Sequence, residues 1–327
     1  MERKIPYPDK MKALQYTNEI KLVTLDTPKV TSPYDIIVKV LASSLNEKKN
    51  ERLPSPIILG SDFSGVVVAK GNSPEANTFF LNDPVLGTVL TGTHAEYVKV
   101  DVRKDTIEEK PYSITHQEAA AVPSCLLPVL SALKIDEKQE SHKPKILIIG
   151  ASEGMGPFAI QAAKKIFDAN VTAICSSEHE LVKSLGADFA YDEKESPNLL
   201  LKSQNDFDII FDVIGCGDKN YPKYRSLLKK HGVYVTTVRK EKSYWAYIRM
   251  VFSMIYRKLI GLFTSTKYRV VTVKNHKNFK NGLAYVEKRE IRSIIAKEFD
   301  LKDGVKAFEL FEQKEYGGKI ILNHTGK

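Results

Sequence analysis

The sequence predicts an α/β protein, a β-rich segment followed by a doubly wound parallel sheet, and three observations carry that prediction. The first 125 residues consist of alternating or β-branched runs, apolar strands alternate with helical segments from about Ser131, and the first of those strands enters a glycine-rich turn, KILIIGASEGMG at Lys145 to Gly156. Alternation of strand and helix is the pattern of a parallel sheet covered on both faces.

In chain order, IKLVTL, DIIVKVLA, IILGSDFSGVVVAK and AEYVKV read as strands, punctuated by Pro, Gly and Asn-Asp turn signals. KILIIG is a short apolar strand, PFAIQAAKKIF a helix, VTAIC a strand, EHELVKSLG a helix ended by Gly186, and FDIIFDVIG and GVYVTTV two further strands. KREIRSIIAKEF, a helix-like DGVKAFELFE and the strand GGKIILN then return to an α+β texture. Internal repeats and low-complexity tracts are absent from the sequence.

At 327 residues, 43% hydrophobic and 27% charged, the chain is globular in composition and long enough for two domains. Its three cysteines, Cys125, Cys175 and Cys216, are far apart and form no CxxC or Cys/His spacing, which argues against a disulfide framework and a tetrahedral metal site and for reduced thiols. The opening MERKIPYPDKMKALQY has no apolar core of a secretory signal and no arginine-rich amphipathic run, so a cytosolic chain is expected. Tyr244 to Phe263 comes nearest to a membrane span, but Arg249, Arg257 and Lys258 interrupt it, which argues against a spanning helix and leaves a helix lying on a surface open.

The formal charge of +9 is unevenly spread. Lys219 to Arg289 holds 18 Lys and Arg against two acids, Glu241 and Glu287, a net of +16 that leaves the rest of the chain at −7. Such a concentration suits anionic lipid, nucleic acid or a solvated face.

Nine strings in one order carry a family resemblance: SSLN (Ser43 to Asn46), PIILGSDFSGVV (Pro56 to Val67), NDPVLG (Asn82 to Gly87), GTHAEYV (Gly92 to Val98), EAAAVP (Glu118 to Pro123), IIGASEGMG, SLGAD, FDIIFDVIG and GGKIIL. Over nearly its whole length the chain resembles the medium-chain dehydrogenase/reductase superfamily, in its zinc-free quinone-oxidoreductase-like branch. The resemblance implies a GroES-like β-rich domain over 1–127, a Rossmann domain over 128–274, and a return to the first domain over 275–327. Zinc-dependent relatives carry a cysteine where this chain has Asn46 and a histidine where it has Ser61. A carboxamide and a hydroxyl are poor zinc ligands, and the four-cysteine structural zinc lobe is missing, so no metal is expected.

The same resemblance implies an NADP(H) site made by Gly150, Ala151, Ser152, Gly154, Met155 and Gly156 of the turn, by Ser176 and Ser177 at the end of the second strand, and by Gly215. Glycines there give a tight bend, close approach of backbone to pyrophosphate, and close helix packing. An NAD-specific enzyme would place an acid at the end of the second strand, so Ser176 and Ser177 lean towards NADP(H). Four departures run against this: Glu153 replaces a glycine of the turn, Glu178 stands where relatives often have Arg or Lys, Glu193 replaces a frequent tyrosine, and Pro128 replaces the threonine of a nicotinamide-lining string. A carboxylate about 4 Å from a phosphate costs roughly 1 to 4 kcal/mol, a penalty avoided if Glu153 turns to solvent. Two readings therefore stand. One is an NADP(H)-dependent, zinc-independent reductase passing a hydride to a quinone or α,β-unsaturated carbonyl. The other is a cofactor-impoverished relative acting as a binding protein on a membrane or lipid droplet.

For the enzyme reading, Asn46 matches the first residue of the family's Asn-Pro-x-Asp string and is the candidate hydrogen-bonder that orients substrate. The rest of that string reads NEKK, leaving Lys48 and Lys49 as candidate proton donors or anion attractors. His94, in GTHAEYV, is a second catalytic candidate if it titrates near neutrality, and otherwise a packed residue. In Tyr244 to Phe263, Arg249, Ser253 and Arg257 are spaced as one narrow polar stripe on an apolar, aromatic helix. One reading makes this segment a lid on the substrate pocket or a homodimer contact. The other makes it an interfacial helix whose Trp245, Arg249, Phe252, Arg257 and Lys258 meet anionic lipid. Nucleic acid is the weakest partner class, because no known binding fold or RNP-like string accompanies the charge. The chain is also similar to a fungal branch of the superfamily associated with lipid droplets and mitochondria.

Overall fold

The computed structural model describes residues 3–46, 55–134, 143–195, 206–215, 220–237, 244–263, 266–271, 277–313 and 316–324, without the side chains of 3–4, 244–247, 260–263 and 277–278. Its strands, in chain order, are β1 (Arg3–Lys4), β2 (Lys10–Tyr16), β3 (Ile20–Asp26), β4 (Asp35–Ser44), β5 (Ile57–Ile58), β6 (Asp62–Lys70), β7 (Pro84–Thr88), β8 (Tyr97–Asp101), β9 (Thr106–Glu109), β10 (Lys145–Ile149), β11 (Asn170–Cys175), β12 (Phe189–Asp192), β13 (Phe207–Asp212), β14 (Leu228–Thr236), β15 (Lys267–Val270), β16 (Ile295–Asp300) and β17 (Lys319–Asn323).

Two compact units result. The first comprises Met1–Ser124, Leu283–Arg289 and Ser293–Lys327, and the second Cys125–Gly282 with Glu290–Arg292. In the first unit the main sheet has the order β16-β17-β4-β6-β7-β9, with β1 also on β6 and β8 on β4, and a smaller sheet has the order β3-β2-β5. The C-terminal strand β17 pairs antiparallel with β4, placing Ile321 beside Ser44 and Leu322 beside Ser43. That pairing brings Lys319, at the start of β17, to the end of β4 where Asn46 lies. The core beneath is apolar and closely packed, with Ile36, Val38, Val40, Phe63, Val67 and Val85 fully or almost fully buried. Burial of this kind stabilises by about 1.5–3 kcal/mol per large side chain.

In the second unit all neighbouring strands are parallel in the order β12-β11-β10-β13-β14-β15. This is the doubly wound order in which the connection reverses direction at the first strand, here β10, so that a crevice opens at its C-terminal end. The apolar run Ile146, Leu147, Ile148 and Ile149 forms that central strand because both its faces are covered, and all four side chains are 0% exposed. Helix Gly156–Lys165 follows with Phe158, Ala159, Ile160, Ala162 and Ala163 buried. Helix His179–Ser184 ends where Gly186 takes φ +113° and donates its N–H to Lys183, the stop that the sequence suggested. The expected α/β class, with one GroES-like β-rich unit and one Rossmann sheet, is thus the fold observed.

Candidate functional site

The glycine-rich turn closes the C-terminal end of β10. Gly150 has φ +80° and Gly154 φ +51°, both in the left-handed region that glycine adopts without strain. Gly156 opens the helix, and a Cβ there would lie 2.4 Å from the Gly150 carbonyl oxygen and 2.5 Å from that of Ala151. Only glycine lets the helix start this close to the strand. The N–H groups of Gly150 and Ala151 both donate to the Ile174 carbonyl at 3.0 Å, which fixes the turn against β11. Ala151 and Ser152 are buried. Met155 stands at the helix N-cap position, with no side-chain cap and Pro157 in the first turn. Glu153, in the middle of the turn, is exposed.

Strand order brings the other expected contacts to the same edge, since β11 and β13 flank β10. Ser176 and Ser177 follow β11 directly and are exposed. Gly215 follows β13 with φ +88° and donates its N–H to Asp212 Oδ1 at 3.4 Å. Asp212 is fully buried and also accepts from Tyr234 Oη at 3.0 Å and Asn220 Nδ2 at 3.2 Å, while burial pushes its carboxyl up. The loop carrying Gly215 is therefore pinned by a buried carboxylate that the sequence reading did not single out. Pro128 lies buried inside helix Pro123–Ala132.

Acids gather at the end of β11. Glu178 is exposed, with φ +63°, and the Glu193 N–H donates to the Cys175 carbonyl at 3.1 Å. The Cys175 thiol is pushed up to about 11, by burial first and then by the charges of Asp192 and Glu178. Asp192 thus joins Glu178 at this strand end, and an acid closing a half-exposed strand just before Glu193 was the available signal for it.

In the first unit, Asn46 is the centre of a hydrogen-bonded cluster. Its Nδ2 donates to Ser61 Oγ and Asp62 Oδ2, both at 3.0 Å, and its Oδ1 accepts from Ser124 Oγ at 3.2 Å and from the Lys319 ammonium. Asp62 is fully buried and accepts in addition from Ser44 Oγ at 3.3 Å and the Ser124 N–H at 3.4 Å. Asp62, Ser124 and Lys319 were missed in the sequence. The available signal was a lysine opening the otherwise apolar KIIL strand, because a lysine only 5% exposed needs polar partners for its ammonium. Lys48 and Lys49 lie outside the described residues, as does Cys216.

His94 does not behave as a group titrating near neutrality. It is fully buried, its Nδ1 lies 2.8 Å from Ser43 Oγ, and the same hydroxyl lies 2.8 Å from His324 Nε2. Its ring packs edge-on against Phe308. Burial, then the charges of His324 and Lys319, hold His94 down to about 3, and burial holds His324 down to about 3 as well.

Helix Tyr244–Phe263 separates the expected membrane candidates. Phe252 is 68% exposed, and Arg249 and Lys258 are also exposed. Arg257 turns inwards, with its guanidinium 4.9 Å from the Tyr221 ring centre and 5.6 Å from that of Tyr268, so the expected single polar stripe through Arg249, Ser253 and Arg257 is not formed. The reason is geometric: at about 100° per residue, steps of four drift by about 40°, and the third member reaches the packed side. Trp245 lies in the first turn, its side chain outside the described residues. No described helix is long and apolar enough to cross a membrane.

Among relatives of known sequence, the protein named mitochondrial NAD(P)H oxidoreductase RTN4IP1 from Bos taurus is 30% identical over 348 residues, covering 90% of this chain and 83% of the relative. The chain belongs to the zinc-binding dehydrogenase family of the medium-chain dehydrogenase/reductase superfamily. The family model described as zinc-binding dehydrogenase matches residues 185–322. A 2-methylene-furan-3-one reductase from Solanum lycopersicum is 27% identical over 347 residues, covering 98% of this chain and 80% of that one. The quinone oxidoreductase of Coxiella burnetii superposes with a TM-score of 0.76 at 25% identity, over 96% of this chain and 99% of its own. Among the described residues no three His, Cys, Asp or Glu side chains are grouped to hold a metal ion.

Proposed function

We propose that this family member is a nicotinamide-dependent reductase of the quinone or enone type that works without zinc. The observation that carries the proposal is the turn at β10. Gly150, Gly154 and Gly156 form a cradle that any Cβ at Gly156 would fill, at the point of the parallel sheet where the strand order reverses. Its backbone and the N-terminus of helix Gly156–Lys165 offer the positive end that a pyrophosphate seeks. The names of the relatives, an NAD(P)H oxidoreductase, a 2-methylene-furan-3-one reductase and a quinone oxidoreductase, agree with this reading.

A zinc ion does not fit the Asn46 cluster. Both polar atoms of the Asn46 amide are engaged, one by donating to Ser61 and Asp62 and the other by accepting from Lys319 and Ser124. An ammonium on the carboxamide oxygen would repel a dication, and the hydroxyl and amide are weak ligands.

When bound, the nicotinamide supplies a hydride to an electron-poor acceptor. The chain's own residues bind and orient. Asn46, fixed in one amide orientation by Ser61, Asp62, Ser124 and Lys319, positions the Lys319 ammonium, whose N–H donors beyond the one given to Asn46 are the polar groups left for a carbonyl that gains negative charge. For the nucleotide end, we propose that NADP(H) is accepted but weakly held. Ser176 and Ser177 leave room for a 2′-phosphate, whereas Glu178 and Asp192 repel it. Glu153 is solvent-facing, which lessens its penalty without removing it.

The test is equilibrium binding of NADPH and NADH to the wild type and to Glu178→Arg. Measurable binding of both, with Glu178→Arg shifting preference towards NADPH, supports the proposal. Failure of either nucleotide to bind at millimolar concentration opposes it and favours the cofactor-impoverished reading.

A further inference from the structure

Helix Tyr244–Phe263 presents apolar residues to solvent as well as to the protein. Phe252 is 68% exposed, Tyr256 65%, Leu259 52% and Ile255 50%. These positions follow the spacing i, i+3, i+4, i+7 and fall within an arc of about 100° of the helix surface. The inward face is already satisfied: Met250 is 2% exposed, Met254 packs against the core of the second unit, and Arg257 lies over Tyr221 and Tyr268. The outward stripe is therefore surplus to what holds the helix in place.

Its borders are cationic. Arg249 and Lys258, both exposed, stand on opposite sides of the stripe, and the helix contains no Asp or Glu among its 20 residues. The segment around it, Lys219 to Arg289, has a net charge of +16. An apolar, aromatic stripe bordered by cations and free of acids matches the boundary between acyl chains and anionic headgroups, with rings at the interface and cations at the phosphate level. A second copy of this chain is the poorer occupant, because joining two such faces sets like charges opposite each other without an acid to pair them.

We infer that the outward face of helix Tyr244–Phe263 docks this protein on an anionic lipid surface through Phe252, Ile255, Tyr256 and Leu259, with Arg249 and Lys258 meeting the headgroups. The inference stands apart from the proposed reductase activity, since the helix's outward face contains none of the nucleotide-site residues.

The experiment is flotation of the full chain with large unilamellar vesicles of phosphatidylcholine alone or with about one-third phosphatidylserine, in low and high salt. Binding to the anionic vesicles about tenfold stronger than to neutral ones, and weaker in high salt, is the expected result. The double variant Phe252→Ser/Tyr256→Ser should lose at least about tenfold in partitioning at both salts, since it removes apolar insertion. Arg249→Glu/Lys258→Glu should lose mainly the preference for anionic vesicles. All four side chains point outwards, so circular dichroism and melting temperature should match wild type and exclude misfolding as the cause. Trp245, the only tryptophan, gives a second readout, a blue shift of emission with anionic vesicles that the variants lack. Absence of wild-type flotation, or flotation equal in wild type and both variants, overturns the inference. So does a wild-type dimer by light scattering that Phe252→Ser/Tyr256→Ser converts to monomer without any lipid binding, which would assign the face to a second copy.

Discussion

Lowering the pH from 7 to 5 should destabilise the protein through the fully buried His94 and the half-buried His324, before any carboxylate titrates appreciably. His94 and His324 are both held down to about 3 in the fold, chiefly by burial, against an ordinary value near 6.5 in the unfolded chain. A folded-state value below the unfolded one means that the unfolded chain binds protons first, so stability is full above about pH 6.5 and falls as pH drops towards 3. At pH 5 each unfolded histidine has gained about 2 kcal/mol from protonation that the folded state cannot match, or about 4 kcal/mol for two. They share the Ser43 hydroxyl, so removing one changes the other's surroundings and the two contributions need not add. Urea denaturation at pH 7, 6 and 5, on wild type and on His324→Gln, checks this. The wild type should lose about 4 kcal/mol and the variant roughly half as much. A stability flat between pH 7 and 5, or an imidazole of His94 that NMR shows titrating near 6.5, would refute the reasoning.

Three further outcomes follow from the geometry. Arg257→Gln should cost about 1–2 kcal/mol by removing a guanidinium from two tyrosine rings, whereas the neighbouring Lys258→Glu should stay within about 0.5 kcal/mol, both read from denaturation midpoints. Lys319→Met should destabilise by about 1.5–3 kcal/mol, because a charge-assisted hydrogen bond to Asn46 is lost inside the cluster around buried Asp62. Glu153→Gly should tighten NADPH binding by tenfold or less, since the carboxylate faces water, and Gly156→Ala should abolish binding, since its Cβ would strike two carbonyl oxygens of the turn. Isothermal titration of the two variants measures both effects.

Much of this fold is legible because its strands announce themselves. KILII and FDIIFD are apolar runs at central sheet positions, and the glycines after KILII have the spacing that a strand-to-helix turn requires. β12 and β15 were missed, being four residues each, partly exposed and without a clear period. The Asn46 cluster was only a third visible. Its partner Lys319 is 273 positions away, and only the β17–β4 pairing brings the two together. Arg257 and Lys258 are adjacent cations in the sequence, and only packing against Tyr221 and Tyr268 assigns one inwards and the other outwards. His94 shows the same limit from the other side: a histidine in a loop-like string gives no sign of being fully buried until the surrounding strands are in place.

The central claim is that the β10 turn holds a nicotinamide nucleotide for zinc-independent reduction, and one measurement meets it directly. The purified chain is treated with a strong chelator, its metal content is measured, and oxidation of NADPH is followed with a simple quinone as acceptor, in wild type and in Gly156→Ala. Saturable, quinone-dependent oxidation that survives chelation in the wild type and is absent in the variant is the result the account predicts. Oxidation that disappears with removal of stoichiometric zinc, or equal rates in wild type and Gly156→Ala, would contradict it.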